Sequence, residues 1–443
     1  MSNQKPDTEQ HGDFPQGLKG LAGALAQIDH QFVGVVCILF IMGGMVASEA
    51  MMSMGMIFLA ASAVFNLNFP DNMRHFFKHR ALVALMLIFV VYFVSGLWSE
   101  NTAWWLDRVR MKLPFLLMPM AIVSIPRLDR QVYLKLLYAF FIWISLASLH
   151  SLALYLADYE AINSAYREGR VLPTPVQHIR FSLMVAFCVA VGAYLLRERF
   201  VWKYRWERRL IQIVTIFLIV YLHILAVRSG LLALYAMMLY YAALLVWERK
   251  QYLLAGGLAV AMAVAGWLAY QYVPSFQNRI NYSLYTFRVF EKQEQISDLS
   301  DARRIGSLYA AADMLKSHPL TGVGAGDVRD ATDAYLQQHY PSLAGFQLMP
   351  HNQFLHAGAS AGIPGMLIFT LALLWPLLYR RAWRDPLLTA FYVLMLSSCM
   401  VEHTLETQLG TAFFILFALM ALRYLDEPHA PRQRNADRKS TRL

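Results

Sequence analysis

Residues 210–247 read LIQIVTIFLIVYLHILAVRSGLLALYAMMLYYAALLVW, which is two apolar runs joined by a short turn. A helix needs about 20 apolar residues to cross a bilayer, and each run is close to that length. Backbone polar groups in lipid must be hydrogen-bonded within their own segment, so we predict two membrane helices here. An arginine between such helices commonly extends to lipid phosphate, but the short turn leaves Arg228 little freedom to do so.

Similar apolar runs recur along the whole chain. The 443 residues are 58% hydrophobic and only 15% charged, whereas soluble chains carry about 25% charged residues. This composition excludes a disordered protein and argues strongly against a soluble enzyme. We predict an all-α polytopic membrane protein that forms one membrane domain over residues 1–443. Its twelve spans are expected near residues 32–49, 51–68, 81–98, 113–126, 132–156, 180–196, 210–227, 230–247, 252–272, 360–379, 386–401 and 409–425.

The distribution of basic residues predicts the orientation of these spans. Most of the 39 Lys and Arg residues fall in the N-terminal tail and in every second connection after it, and short basic connections face the cytoplasm. We therefore expect the tail at 1–31 and the basic tail at 426–443 to be cytoplasmic. These connections account for the net charge of +10 without a nucleic-acid partner. Two outer connections are long, at 157–179 and at 273–351.

Several kinds of site find no support in the sequence. The three cysteines, Cys37, Cys188 and Cys399, lie within apolar runs, which favours buried thiols over disulfides or a metal site. There is no GxxxxGK[ST] phosphate-binding loop, and the cytoplasmic segments are too short for an ATPase domain. Aspartates in the outer loops lack paired metal-ligand spacing. We therefore expect neither a metal nor another cofactor.

The large outer loop contains a predicted amphipathic helix. Asp301 or Ser300 would cap its start, and Pro319 follows its end. Helical spacing puts Arg304 on the apolar face, where a guanidinium needs an anionic partner or several hydrogen bonds. Arg303 falls off that face. Arg304 is therefore the stronger candidate for a functional role.

Other polar residues converge on the same outer face from distant parts of the chain. Arg180 begins the sixth span within HIRFS, and His351 with Asn352 follows Pro350 where the large loop re-enters the membrane. A lone histidine there would by default be structural, but the glycine-containing stretch that begins at His351 favours a functional role. Three residues of the last outer turn are the main alternatives for the general base or for a group that orients it: Glu402, His403 and Glu406.

Two glycine-rich stretches flank the candidate histidine. Residues 317–327 read SHPLTGVGAGD, and Gly322 and Gly324 within it can expose backbone N–H groups to an anion. Residues 351–365 read HNQFLHAGASAGIPG. The glycines of this second stretch allow a helix to start or to pack closely against a neighbour.

Together these motifs resemble the O-antigen ligase and polymerase family. The family has an arginine fifteen residues before an hPl.GvG sequence, as Arg304 stands before Pro319. It has an H[NSQ]x9Gxx[GTY] element, which His351, Asn352, Gly362 and Gly365 match in full. It also has an SRG-like turn, which VRSG matches around Arg228 with Val227 in the place of Ser. The motifs cover about 130 residues, so the combination is specific although each element alone is weak.

The resemblance implies a GT-C-like glycosyltransferase of the bacterial inner membrane with a periplasmic active site. Such an enzyme transfers O-antigen from undecaprenyl pyrophosphate to a sugar hydroxyl of lipid A–core, without metal or nucleotide. It implies catalytic roles for His351, Arg304 and Arg228. Substrate contacts are expected from Arg180, Asn352, Arg303, His178, Gly322 and Gly324. We expect a monomer surrounded by membrane lipids.

Three other functions stay open at this level. An O-antigen polymerase uses the same donor with a different acceptor, but the single large loop and the complete histidine element favour a ligase. A protein-directed oligosaccharyltransferase is less consistent with the short C-terminal part of the chain. A lipid or polysaccharide transporter would place ionisable groups near the midplane within repeated halves, whereas here they cluster at one face.

Overall fold

The computed structural model describes residues 29–167, 172–248, 250–291 and 300–426. Regular structure in these ranges is entirely helical, which confirms the predicted all-α class. Nearly all of both predicted tails, 1–31 and 426–443, lies outside the described residues. The α-helices in chain order are α1 His30–Ala47, α2 Glu49–Val64, α3 Phe69–Lys78, α4 Arg80–Ser95, α5 Thr102–Ile122, α6 Arg130–Ala157, α7 Tyr159–Arg167, α8 His178–Arg197, α9 Glu207–Leu225, α10 Arg228–Trp247, α11 Tyr252–Tyr272, α12 Pro274–Glu291, α13 Ser300–Ser317, α14 Val328–His339, α15 Gln353–Leu378, α16 Pro386–Val401 and α17 Gln408–Leu425.

Each of the twelve predicted apolar runs coincides with a helix. Within the described residues, nine helices are long and apolar enough to cross a membrane, or ten if the bent pair α2 and α3 forms one span. This count is lower than the twelve spans predicted. The chain is nevertheless an all-α polytopic membrane protein.

Three helices account for the difference. The chain bends by 109° between α2 and α3, and α16 has only 16 residues. Helix α5 begins at Thr102, well before the predicted start at 113, and carries Arg108 and Lys112. Both of these cations are buried. The helix extends through a charged segment because the protein interior supplies partners for those charges.

Helices α8 and α17 lie at the centre of the bundle, where nearly all their side chains are buried. Phe187 of α8 lies 4.8 Å from Phe391 and 4.9 Å from Phe417 between ring centroids. At the periphery, α11 leaves most of its apolar side chains uncovered, and Leu253 is 93% exposed. A continuous apolar outer face of this kind suits contact with lipid.

The large outer loop holds three α-helices, α12, α13 and α14, where the sequence predicts one amphipathic helix. Helix α13 is that helix, and it ends at Ser317, just before Pro319. The predicted cap Asp301 lies in its first turn, but its carboxylate binds Arg228 from another helix. The loop is therefore a small helical layer that is joined to the bundle through ion pairs.

Helix α15 is interrupted at Gly362, where φ is +70°. The loop after α13 fills the interruption: the N–H of Val323 donates to the carbonyl of Ala359 at 2.8 Å, and the N–H of Ile363 donates to that of Pro319 at 2.7 Å. A Cβ atom at Gly362 would lie 2.4 Å from the carbonyl carbon of Leu320. The glycine is thus required both by its backbone conformation and by the close approach of the loop.

Candidate active site

Four distant segments meet at one end of the bundle. Ala226, which adopts a left-handed conformation with φ of +52°, caps the C-terminus of α9, and Arg228 begins α10 two residues later. Helix α13 contributes Arg304, the loop before α15 contributes His351, and the turn between α16 and α17 contributes Glu402. The predicted catalytic residues therefore lie in one region.

Two ion pairs join the outer helical layer to the membrane helices. Arg228 Nη1 donates to Asp301 Oδ2 at 2.7 Å, and Arg304 Nη2 donates to Glu402 Oε1. Glu402 is thus the anionic partner that the buried face of α13 requires. The Nε and Nη2 atoms of Arg228 are buried and have no hydrogen-bond partner among the described residues. Their N–H groups are available to an anionic ligand.

The hydrogen bonds around Ser307 determine the tautomer of His351. The Ser307 hydroxyl donates to the carbonyl of Arg304 at 2.7 Å and accepts the backbone N–H of His351 at 3.2 Å. When that proton goes to the Arg304 carbonyl, the hydroxyl accepts a hydrogen bond at 3.1 Å from His351 Nδ1. The Nε2 atom then carries the lone pair. We missed Ser307 in the sequence, although it lies three residues after Arg304 on the same helical face.

His351 is held neutral by its surroundings. Burial, followed by the positive charges of Arg304 and Arg180, lowers the pKa of His351 to about 3. Its ring lies 4.9 Å from that of His403, edge to face. Burial and the neighbouring His351 also lower the pKa of His403 well below its ordinary value. Two neutral imidazoles thus lie side by side between arginines.

His351, Glu402 and His403 offer side-chain ligand atoms that all lie within 4.8 Å of one another. Two histidines and one carboxylate are a donor set that Zn²⁺ accepts. Glu402 is, however, already paired with Arg304, and the positive charges of Arg304 and Arg180 act on His351. This positive environment opposes a divalent cation, and the absence of a metal stays a prediction.

Arg180 is 2% exposed and binds the turn that carries His403. Its Nε donates to Thr407 Oγ1 and its Nη2 donates to the His403 carbonyl, both at 3.2 Å. His178, two residues earlier in the chain, interacts electrostatically with Arg279, Arg304 and Arg180. Both residues lie at the site, and the contacts of Arg180 are those of a residue that positions the turn.

A fourth arginine, Arg279 of α12, was not identified from the sequence. It is electrostatically coupled to Arg228, Arg304 and Asp301. Burial, followed by the charge of Arg228, lowers the pKa of Arg279 to about 10, so it stays protonated at neutral pH. Its helix carries no motif, and only tertiary packing brings it to the site.

The remaining predicted residues mainly shape the surrounding backbone. Asn352 caps α15, where its Oδ1 accepts the N–H groups of Phe354 and Leu355. The guanidinium of Arg303 lies 3.7 Å from the ring centroid of Phe346, consistent with its place off the buried face.

Gly322 and Gly324 adopt positive φ angles of 67° and 98°. Their amide N–H groups donate to the carbonyls of His318 and Ser360 at 2.9 and 3.1 Å. In the structure they pack the loop against its neighbours. A direct contact of either glycine with substrate stays a prediction.

A fully buried charge network lies beneath the site. Oε1 of Glu406 accepts hydrogen bonds from Lys112 Nζ at 2.6 Å, Tyr92 OH at 2.6 Å and Gln353 Nε2 at 2.7 Å. Burial alone would raise the pKa of Glu406, but the charges of Lys112, His356 and Arg108 lower it. Glu406 is therefore an anchor for the turn at 402–406 and a poor candidate for the base.

The site as a whole is positively charged. Four guanidinium groups, from Arg180, Arg228, Arg279 and Arg304, face two carboxylates, from Asp301 and Glu402. With neutral histidines, the net charge is about +2, which matches a doubly charged phosphate or pyrophosphate group. A neutral imidazole next to such a cluster has the arrangement needed for general-base chemistry at an anionic leaving group.

Part of the chain is similar to a known family. The comparison with curated proteins gives no match. The family model described as O-antigen ligase matches residues 213–370. This segment contains Arg228, Arg304, Ser307 and His351, whereas Arg180 and the turn at 402–406 lie outside it. Over residues 213–370, the chain is therefore similar to the O-antigen ligase family.

Proposed function

We propose that this protein is an O-antigen ligase of the bacterial inner membrane that acts at the periplasmic face. Its donor is O-antigen linked to undecaprenyl pyrophosphate, and its acceptor is a sugar hydroxyl of lipid A–core. The observation that carries the proposal is the cluster of arginines around a neutral His351, with two buried N–H groups of Arg228 left for a ligand.

In the proposed reaction, Nε2 of His351 takes the proton of the acceptor hydroxyl. The oxygen attacks the anomeric carbon, and the bond from that carbon to the pyrophosphate oxygen breaks. The leaving group keeps the electron pair, and its charge is stabilised by Arg228, Arg304 and Arg279. Among the described residues, the two carboxylates of the site, Asp301 and Glu402, are each paired with an arginine, so the proposed transfer is a single displacement with inversion. A positioned base contributes about 10²–10⁴-fold to such a step.

The low pKa of His351 is compatible with this role. In the free enzyme, the adjacent arginines keep the imidazole neutral and thus able to accept a proton. A bound pyrophosphate brings two or more negative charges, which offset those arginines and raise the pKa of the histidine. The base therefore becomes stronger when the donor is in place.

The proposal is tested with purified protein, carrier-linked O-antigen and lipid A–core, in the presence of EDTA and without nucleotide. We expect the wild-type protein to give a ladder of modified lipopolysaccharide on a gel. His351→Ala should give no ladder, and Arg228→Gln should weaken donor binding. His318→Ala, at an exposed histidine of the same loop, is the matched control.

The outcomes separate the alternatives. A ladder from His351→Ala would move the base elsewhere, with His403 next. A ladder that forms only when EDTA is left out would contradict the metal-free mechanism. Extension of the donor polymer without attachment to lipid A–core would identify a polymerase. Movement of carrier lipid across liposomes without glycosyl transfer would identify a transporter.

A further inference from the structure

The end of the bundle opposite the active site carries a second cluster of cations. Helix α17 starts beside the turn at 402–406 and ends at Leu425, while α15 starts beside His351 and ends at Leu378. Their far ends lie together next to the start of α4. The predicted orientation places this end at the cytoplasmic face.

The carboxylate of Asp426 stands at the centre of this cluster. Arg423 Nη1 lies 3.0 Å from Asp426 Oδ2, and Arg380 Nη1 lies 3.6 Å from Oδ1. His79 Nε2 and His75 Nε2 approach the two oxygens at 3.5 and 3.7 Å. Burial alone would raise the pKa of Asp426, but His79 and Arg423 lower it to about 2. The carboxylate thus stays ionised, with more cationic groups around it than its charge can balance.

A cavity of about 320 Å³ opens beside Asp426. Its polar lining comprises Arg380, Arg381, Arg384 and His79 together with the carboxylates of Asp385 and Asp426. Arg380 and Arg381 are both held in the left-handed conformation, with φ of 49° and 60°, which is unfavourable for residues with a side chain. His79 is 6% exposed, and its Nδ1 atom has no hydrogen-bond partner among the described residues. Three arginines against two carboxylates leave the cavity with an excess of positive charge, and His79 in its wall has a buried Nδ1 atom without a hydrogen-bond partner among the described residues.

We propose that this cavity binds the phosphate group of an anionic membrane lipid. Arg380, Arg381 and Arg384 would hold the phosphate oxygens, and Asp426 would keep Arg380 and His79 in position. Guanidinium groups match phosphate oxygens in charge and geometry. This site is separate from the proposed donor site, since it lies at the opposite end of α15 and α17.

Two features favour a lipid over a free phosphate ion. The cavity wall includes the apolar side chains of Leu422 and Leu425, which would contact the glycerol and upper acyl region. An apolar groove of about 340 Å³ between α4 and α15 begins at the same end and offers a path for an acyl chain. It is lined by Phe77, Val83, Leu87, Leu371 and Trp375. Basic pockets between membrane helices at the cytoplasmic side are a known form of headgroup site.

The test measures lipid binding to the full chain in a non-ionic detergent by native mass spectrometry. Phosphatidylglycerol, phosphatidylcholine and inorganic phosphate are titrated separately. The double variant Arg381→Gln/Arg384→Gln leaves every ion pair of Asp426 intact, and Arg380→Gln is a second variant. The matched control is Arg208→Gln/Arg209→Gln, which removes two exposed arginines at the start of α9, at the same end of the bundle.

We expect wild-type protein to prefer phosphatidylglycerol to phosphatidylcholine. Both cavity variants should weaken phosphatidylglycerol binding by about tenfold, as for the loss of charge-assisted hydrogen bonds, while the control changes it by less than about twofold. Thermal unfolding midpoints confirm that each variant is folded. Equal losses in the cavity variants and the control, equal binding of both lipids, or binding of inorganic phosphate alone would each overturn the proposal.

Discussion

At the scale of single residues, one hydroxyl group decides which nitrogen of the candidate base is free. Ser307 uses its proton on the Arg304 carbonyl and accepts from both the backbone and the ring of His351. The imidazole is therefore held in one tautomer and one orientation. Ser307 is a positioning residue in the proposed reaction, because it acts through His351.

Replacement of Ser307 by Ala should lower kcat for ligation by about tenfold or more. This loss is part of the rate enhancement of about 10²–10⁴-fold that a positioned base supplies. KM for the donor should change little, since the arginines are untouched. Ser307→Thr keeps the hydroxyl and should restore most of the rate. Initial rates with purified variants measure both constants. Ser317→Ala, at the exposed end of the same helix, is the control, and a change only in KM would contradict the positioning role.

The lowered pKa of His351 predicts a pH dependence of stability. Below about pH 6.5, the unfolded chain protonates this residue, whereas the folded chain does so only near pH 3. The unfolded state then binds more protons, so the free energy of unfolding falls as the pH drops below about 6.5 and is recovered as it rises.

His351→Gln should remove this contribution, which amounts to about 1–2 kcal/mol at pH 5. Its unfolding midpoint should therefore decrease less than that of the wild type between pH 7 and pH 5. Thermal scans in detergent at several pH values measure the difference. His318→Gln should leave the wild-type slope unchanged. Parallel curves for His351→Gln and wild type would show that the imidazole is not held neutral.

At the scale of elements, the interruption of α15 is paired with the glycine-rich loop after α13. The loop supplies N–H donors to carbonyls that the broken helix leaves free, and it accepts the N–H of Ile363 in return. Orphan backbone groups within a membrane-spanning helix are costly unless they are satisfied in this way. The same contact fixes α15, and with it His351 just before its start.

Gly362→Ala should destabilise the protein, because the new Cβ meets the carbonyl of Leu320 and the residue keeps a positive φ. The backbone conformation alone costs about 1–3 kcal/mol. Gly256→Ala in α11 is the control, since a Cβ there meets nothing within 4 Å and alanine favours a helix. Unfolding midpoints should fall for the first variant and stay equal or rise for the second. Equal midpoints would show that the loop and helix do not depend on each other.

At the scale of the whole molecule, the buried network of Glu406 connects α4, α5, α15 and the turn before α17. Lys112 and Glu406 are both fully buried, and the pair lies directly beneath the turn that presents Glu402 and His403. The position of this turn therefore depends on packing between helices that are far apart in the chain.

Glu406→Gln should destabilise the protein by about 3–5 kcal/mol, because it leaves the Lys112 ammonium buried without an anion. The double variant Lys112→Met/Glu406→Gln removes both charges and should recover much of that loss. Glu100→Gln, at an exposed position, is the control. Unfolding midpoints and expression levels measure the series. A double variant no more stable than Glu406→Gln would contradict the pairing as the cause.

The sequence predicted more of the candidate site residues than of the residues that hold them in place. Arg228, Arg304 and His351 stand in motifs, and periodicity placed Arg304 on the buried face of its helix. Glu402 and His403 were identified only as rivals for the base, since no local pattern links them to Arg304 or His351. Sequence reasoning missed Arg279 and Ser307 because contacts with residues from another part of the chain bring each of them to the site.

By itself, the sequence determined the all-α membrane class, the position of the apolar helices, and the grouping of candidate residues at one face. These features depend on hydropathy and on helical periodicity, which are local properties of the chain. Only the tertiary structure decided which charges pair, which nitrogen of His351 is free, and that α5 buries Lys112 and Arg108. Ion pairs and tautomers depend on contacts between residues separated by tens to hundreds of positions, and no local pattern encodes those contacts.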